Sequence, residues 1–154
     1  YAIMGDLYHI KKMNVEAYAA YDSALVYKEN NIGALNNYAY YLSVERKNLD
    51  KAEEMSYRTV KAEPTNGTYL DTYAWVFFVQ GNYTLAKIYI ENALSKDKTN
   101  SAELVDHYGD ILYMSGEKDK ALEQWKKAKE MGKDTDVLKQ KIAKGIYIED
   151  TESK

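Results

Sequence analysis

Large and small apolar residues return along the chain in groups with one spacing. Tyr1, Met4, Gly5 and Tyr8 are followed by Leu35, Tyr38, Ala39 and Leu42, then by Leu70, Tyr73, Ala74 and Phe77, then by Val105, Tyr108, Gly109 and Leu112. A large residue followed at +3, +4 and +7 by large, small and large residues forms one stripe of an α-helix. Downstream of each group stands an alanine, Ala17, Ala52, Ala86 and Ala121, at intervals of 35, 34 and 35 residues. Seven positions further lies a second small residue: Ala24, Thr59, Ala93 or Ala128. Each unit therefore reads as helix A, a turn, helix B and a second turn, with small residues where two helices approach most closely.

The predicted A helices cover about 1–12, 32–46, 67–80 and 101–115, and the B helices about 14–29, 49–63, 83–97 and 117–131. Gly81-Asn82 and Ser115-Gly116 supply turns between A and B, and Pro64 stands where a B helix must stop. Unit two carries one extra residue in its turn, around Arg46 to Leu49. The run Tyr73 to Val79 is rich in strand formers and read alone would be a buried strand. The repeat register overrides that reading, because Tyr73 and Phe77 fall on the helix A stripe. After Gly132, Asp134-Thr135-Asp136 starts a further helix, with acids placed favourably near its N-terminal dipole. Val137, Leu138, Ile142 and Ile146 form its apolar stripe, while Lys139, Gln140 and Lys144 face away.

This pattern resembles the tetratricopeptide repeat, whose large-x-x-large-small-x-x-large stripe and later Ala-x-x-x-aromatic pair are matched by Ala17/Tyr21 and Ala121/Trp125. Departures are Tyr38, Tyr73 and Tyr108 for the usual leucine, Ser56 and Ile90 for the helix B aromatic, and proline at the end of only one unit. The resemblance spans residues 1 to about 133. The segments YAYYLS and YLDTYAWVFF look like those of bacterial members. The expected architecture is an all-α, right-handed α-solenoid of four repeats (about 1–31, 32–66, 67–100 and 101–133), a capping helix at 134–148 and a flexible tail at 149–154. Tyr1 already occupies the first large position of its stripe, so the first A helix reads as cut short. Upstream sequence is expected in the parent protein, and the bared apolar end offers a route to homo-oligomerisation.

Composition narrows the function. The longest apolar run, seven residues from Tyr73 to Val79, is far below the roughly 18 to 20 needed to span a bilayer, so membrane insertion is not expected. A formal charge of -3 gives no general attraction for phosphate backbones, which disfavours nucleic acid as a partner. The chain has no cysteine, which removes disulfides and thiolate chemistry and leaves cytoplasm and export equally open. The 16 tyrosines fall mostly on repeating positions. No Gly-rich phosphate loop, Gly-x-Ser-x-Gly elbow or His-Glu-x-x-His helix is present, so neither catalytic residues nor a cofactor are expected. Glu103 and His107, like Asp106 and Asp110, lie four apart, but no second helix offers further ligands and no metal site is expected.

The resemblance implies that A helices line a concave surface. The stripe beside the core stripe then gives three rows: Ala2, Asn36, Asp71, Asp106; Asp6, Tyr40, Trp75, Asp110; and His9, Ser43, Phe78, Tyr113, with Glu103 extending the last unit. These rows contain aromatics and acids and no lysine or arginine. A protein or peptide partner is expected, an extended segment with basic and apolar side chains gripped by Asp6, Asn36, Tyr40, Asp71, Trp75, Phe78, Asp106, Asp110 and Tyr113. The alternatives are a structural assembly unit of a larger protein and an accessory domain of an enzyme. The lysines of the last B helix and the cap read as a solvated convex face.

Overall fold

A computed structural model describes residues 31–96 and 101–149. The first predicted helical pair, with Ala2, Asp6 and His9, lies outside the described residues, as does the N-terminal end through which a second copy was expected to stack. The described residues form seven helices: α1 (Ile32–Glu45), α2 (Leu49–Ala62), α3 (Gly67–Val79), α4 (Tyr83–Lys96), α5 (Ala102–Met114), α6 (Lys118–Glu130) and α7 (Asp136–Lys144). The six helices of the three described pairs begin and end within one residue of the positions the periodicity predicts. Tyr73 to Val79 is helical, so the register prevails over local strand preference.

Each A helix starts at a side-chain cap: Asn31, Asn66 and Ser101 accept from the backbone N–H three residues on, and Thr135 does the same for α7. Such a cap satisfies one of the amides that a helix start leaves without an internal partner. The turns into the B helices differ. Gly81 and Gly116 take φ of +84° and +90°, a left-handed backbone that a Cβ disfavours. Unit two has no glycine there; its extra residue lets Arg46 and Asn48 share the reversal at φ of +56° and +47°. Asn tolerates this region, whereas Arg46 is strained in it.

Sequential helices pack pairwise, and α1 also meets α3 while α3 meets α5, so the A helices run side by side along one wall of an all-α solenoid. The predicted stripes form the core. Leu35, Ala39, Leu42, Leu70, Ala74, Ala86, Ala93, Leu112, Ala121 and Ala128 are buried, and each large member contributes about 1.5–3 kcal/mol on removal from water. Gly109 is the tightest point, because a Cβ there would lie 2.5 Å from the Trp125 ring.

Helix α7 departs from expectation at its end. Gly145, at φ of +67°, closes the helix, and Ile146, expected on the buried stripe, is exposed. Lys141 takes the buried place instead, beside Leu138. Among the described residues no helix is long and apolar enough to cross a membrane.

Candidate functional site

The concave wall holds a cavity of about 70 Å³. Four of the predicted residues line it: Tyr40 from α1, Trp75 from α3, and Asp106 and Asp110 from α5. Trp75 is clamped by two planar neighbours, Phe78 at 4.5 Å between ring centroids and His107 at 4.2 Å, both nearly parallel to it. The spacing of Trp75 and Phe78, three apart on one helix, produces the first contact; the packing of α3 on α5 produces the second. Trp75 is nevertheless partly exposed, and so is Tyr40, whose phenol is raised above its ordinary pKa chiefly by burial.

The other predicted residues sit elsewhere. Asp71 lies behind Trp75 and accepts from His107 Nδ1 at 2.8 Å. Phe78 is buried beneath Trp75 and does not reach the cavity. Asn36 is buried on α1, and its Oδ1 has no hydrogen-bond partner. Tyr113 faces α6, stacked on Trp125 with the Lys118 ammonium 5.5 Å from its ring centroid. Asp6 lies outside the described residues.

The expected wall of acids without cations is corrected by the structure. Asp71, His107, Glu103, Lys133, Asp106, Lys141 and Asp110 form one chain of alternating charge. Glu103 meets His107 Nε2 at 3.1 Å; Lys133 donates to Glu103 at 2.7 Å and to Asp106 at 2.6 Å; Lys141 donates to Asp106 at 2.6 Å and to Asp110 at 2.8 Å. The Trp125 indole N–H closes the chain on Asp110 at 3.0 Å. The cations come from His107 on α5 itself, from the turn after α6 and from α7, which is why rows drawn on the A helices alone held no lysine.

Burial opposes the charged forms of His107, Glu103, Asp110 and Lys133, and the neighbouring charges outweigh it at all but Asp110. Burial alone would lower the His107 pKa, but the Asp71 and Glu103 carboxylates outweigh it and hold the imidazolium well above the ordinary histidine range. The His107 hydrogen bond, with help from Lys133, keeps Glu103 below the usual carboxylate range. Burial raises Asp110 to about 6 despite Lys141. Lys133 stays above the ordinary lysine range because Asp106 and Glu103 outweigh its burial. Three cations thus face four carboxylates, and little net charge remains. Glu103 and His107 are bonded to each other, and among the described residues no three His, Asp or Glu side chains are placed to hold a metal ion.

Among the lining residues that sequence reasoning missed are His107, Arg46, Lys133, Lys141, Tyr147 and Glu149. Lys141 carried a legible signal, since it lies three after Leu138 and one before Ile142 on an otherwise apolar stripe. Tyr147 and Glu149 follow Gly145 and enter the groove from the C-terminal side. The Tyr147 ring meets Phe78 edge-on at 5.5 Å, and Glu149 pairs with Arg46 at 3.2 Å. Nothing local in the sequence links positions 46 and 149.

No protein-family model matches the sequence, and no curated protein matches it. Solved structures do resemble it. A tetratricopeptide repeat protein from Parabacteroides merdae superimposes with a TM-score of 0.79 at 26% identity, over 94% of this chain and 56% of its own. MamA gives 0.72 at 20% identity, over 92% of this chain and 82% of that protein. YrrB, described as a TPR protein with an unusual peptide-binding site, gives 0.62 at 21% identity, over 73% of this chain and 57% of its own. The chain thus spans little more than half the length of the Parabacteroides protein. Helical pairs repeating at 34 to 35 residues, small residues at their contacts and these likenesses together give the chain the tetratricopeptide-repeat fold.

Proposed function

We propose that the chain is a non-catalytic protein-interaction module that receives an extended polypeptide segment along its concave wall, with Tyr40 and Trp75 as the anchoring surface. The observation that carries this reading is the state of Trp75, a large planar side chain fixed between Phe78 and His107 yet left partly open at the mouth of the cavity. Tryptophan and tyrosine held rigidly in a concave surface lose little conformational freedom on binding, which is why such residues dominate interface energies. A partner selected for positive charge is not part of the reading, since the acids of α5 are already paired. The likeness to YrrB, with its peptide-binding site, agrees in kind and supplies no partner.

The test is peptide display on the full chain, followed by affinity measurement of the enriched sequences. Trp75→Ala should weaken them by about 1 kcal/mol or more, while Lys126→Ala on the exposed face of α6 should leave them unchanged. Enriched peptides that bind the Trp75 variant as tightly as the parent chain would move the site off the concave wall.

A further inference from the structure

The groove already contains a stretch of polypeptide, and it is the chain's own. Gly145 ends α7 in a left-handed conformation and turns the backbone away from the helix axis, so that residues 147–149 run without regular structure against the A helices. Tyr147, Ile148 and Glu149 all line the cavity. Tyr147 packs edge-on to Phe78 and belongs to both of the apolar clusters that flank the groove; burial raises its phenol well above the ordinary tyrosine range. Two residues on, Glu149 reaches Arg46 at the end of α1, a contact spanning 103 positions of sequence.

The geometry points to a partner of the same chemistry: a peptide carrying an aromatic residue and, two positions later, a carboxylate, which binds by displacing Tyr147 and Glu149. This rests on the groove being the interaction site. Two features support displacement. The remaining cavity, about 70 Å³, admits a few waters and is far below the roughly 300 Å³ or more of ordinary ligand pockets, so a peptide enters only if the resident segment leaves. The ion pair between Arg46 and Glu149 is nearly half exposed on both sides, so Arg46 can exchange that carboxylate for another at little cost. Arg46 is committed to no carboxylate of the charge chain on α5, and its place in the extended turn of unit two sets the guanidinium at the mouth. An aromatic contact beside one exchangeable ion pair defines a two-point recognition element in which the tail acts as an internal competitor at high effective concentration.

The experiment uses a fluorescent peptide with the sequence of residues 144–149 added to the full chain. Disabling the resident segment by Tyr147→Ala should tighten binding at least about tenfold, and Glu149→Lys, at an exposed position that leaves the core untouched, by about threefold, since the competent fraction rises. A peptide bearing Glu149→Lys should bind the Tyr147→Ala chain about tenfold more weakly, and adding Arg46→Glu to that chain should reverse the preference between the two peptides. Equal affinity for the parent and both tail variants, or indifference to the peptide's charge, overturns the proposal. So does a parent chain that is dimeric in sedimentation and becomes monomeric on Tyr147→Ala, because the occupant is then a second copy. If this peptide binds no variant while display-selected, Trp75-dependent peptides bind, the recognition chemistry fails and the groove reading stands; if selected peptides also ignore Trp75, both fail.

Discussion

Helices α3 and α5 occupy the same place in successive repeats and pack on one another, yet they are built from opposite materials. Helix α3 carries one charged residue, Asp71, and presents Trp75 to the concave side over the buried Phe78. Helix α5 presents Glu103, Asp106, His107 and Asp110 there, three of them buried. Position in the repeat therefore fixes where a side chain points and leaves its chemistry to whatever packs opposite. Opposite α3 are the His107 ring and Tyr147. Opposite α5 are Lys133 and Lys141, whose ammonium groups satisfy the acids at 2.6 to 2.8 Å. The small residue of the stripe differs in the same way: Ala74 shares a core with Ile90, whereas Gly109 lies against the Trp125 ring, which leaves no room for a Cβ.

The largest effect should come from breaking the charged side of this contrast. Lys141→Met leaves buried Asp110 without a cation, with only the Trp125 N–H, and Asp106 with Lys133 alone, and is expected to lower the unfolding free energy by about 3–5 kcal/mol in urea denaturation, because an uncompensated buried charge costs more than the pair gains. Adding Asp106→Asn and Asp110→Asn should recover much of that loss, and an unchanged denaturation midpoint in the single variant would show that the ladder is dispensable.

Next in size is the steric contrast. Gly109→Ala should lower stability by about 1–3 kcal/mol through forced movement of Trp125. Importing the α3 solution, Gly109→Ala with Trp125→Ile, should lose less than the two single changes summed, by at least about 0.5 kcal/mol. Strict additivity in that cycle would mean the two positions do not read each other.

A smaller effect belongs to His107, which joins the two helices. Its folded pKa lies above the unfolded one, so its contribution is complete below about pH 6.5 and is lost as pH rises toward the folded value. The loss proceeds at up to about 1.4 kcal/mol per pH unit. Stability measured from pH 6 upward should fall in the parent and lose this component in His107→Gln; parallel curves would remove His107 from the account. Least of all, Lys127→Leu on the exposed face of α6 should shift stability by no more than about 0.5 kcal/mol.

The helices of the three described pairs, their ends and their core stripes were legible in the sequence because an α-helix has a fixed period and each repeat must bury the same face, so 34 to 35 residues of spacing carry three-dimensional information. The register even corrected the strand-like composition of Tyr73 to Val79. The groove was legible only on the A-helix side: Tyr40 and Trp75 emerge from the stripe beside the core. Tertiary structure alone decided what faces them. It brought Lys133 and Lys141 onto the acids of α5, set His107 between Asp71 and Glu103, and carried Tyr147 and Glu149 back across the groove to Phe78 and Arg46. Apart from Glu103 and His107, four positions apart on one helix, those contacts join residues 27 to 103 positions apart, most of them through a turn, the capping helix or a chain end that carry no repeat period. Periodicity reports which face of a helix is inside; it is silent about which distant charge will arrive to meet the residues beside that face.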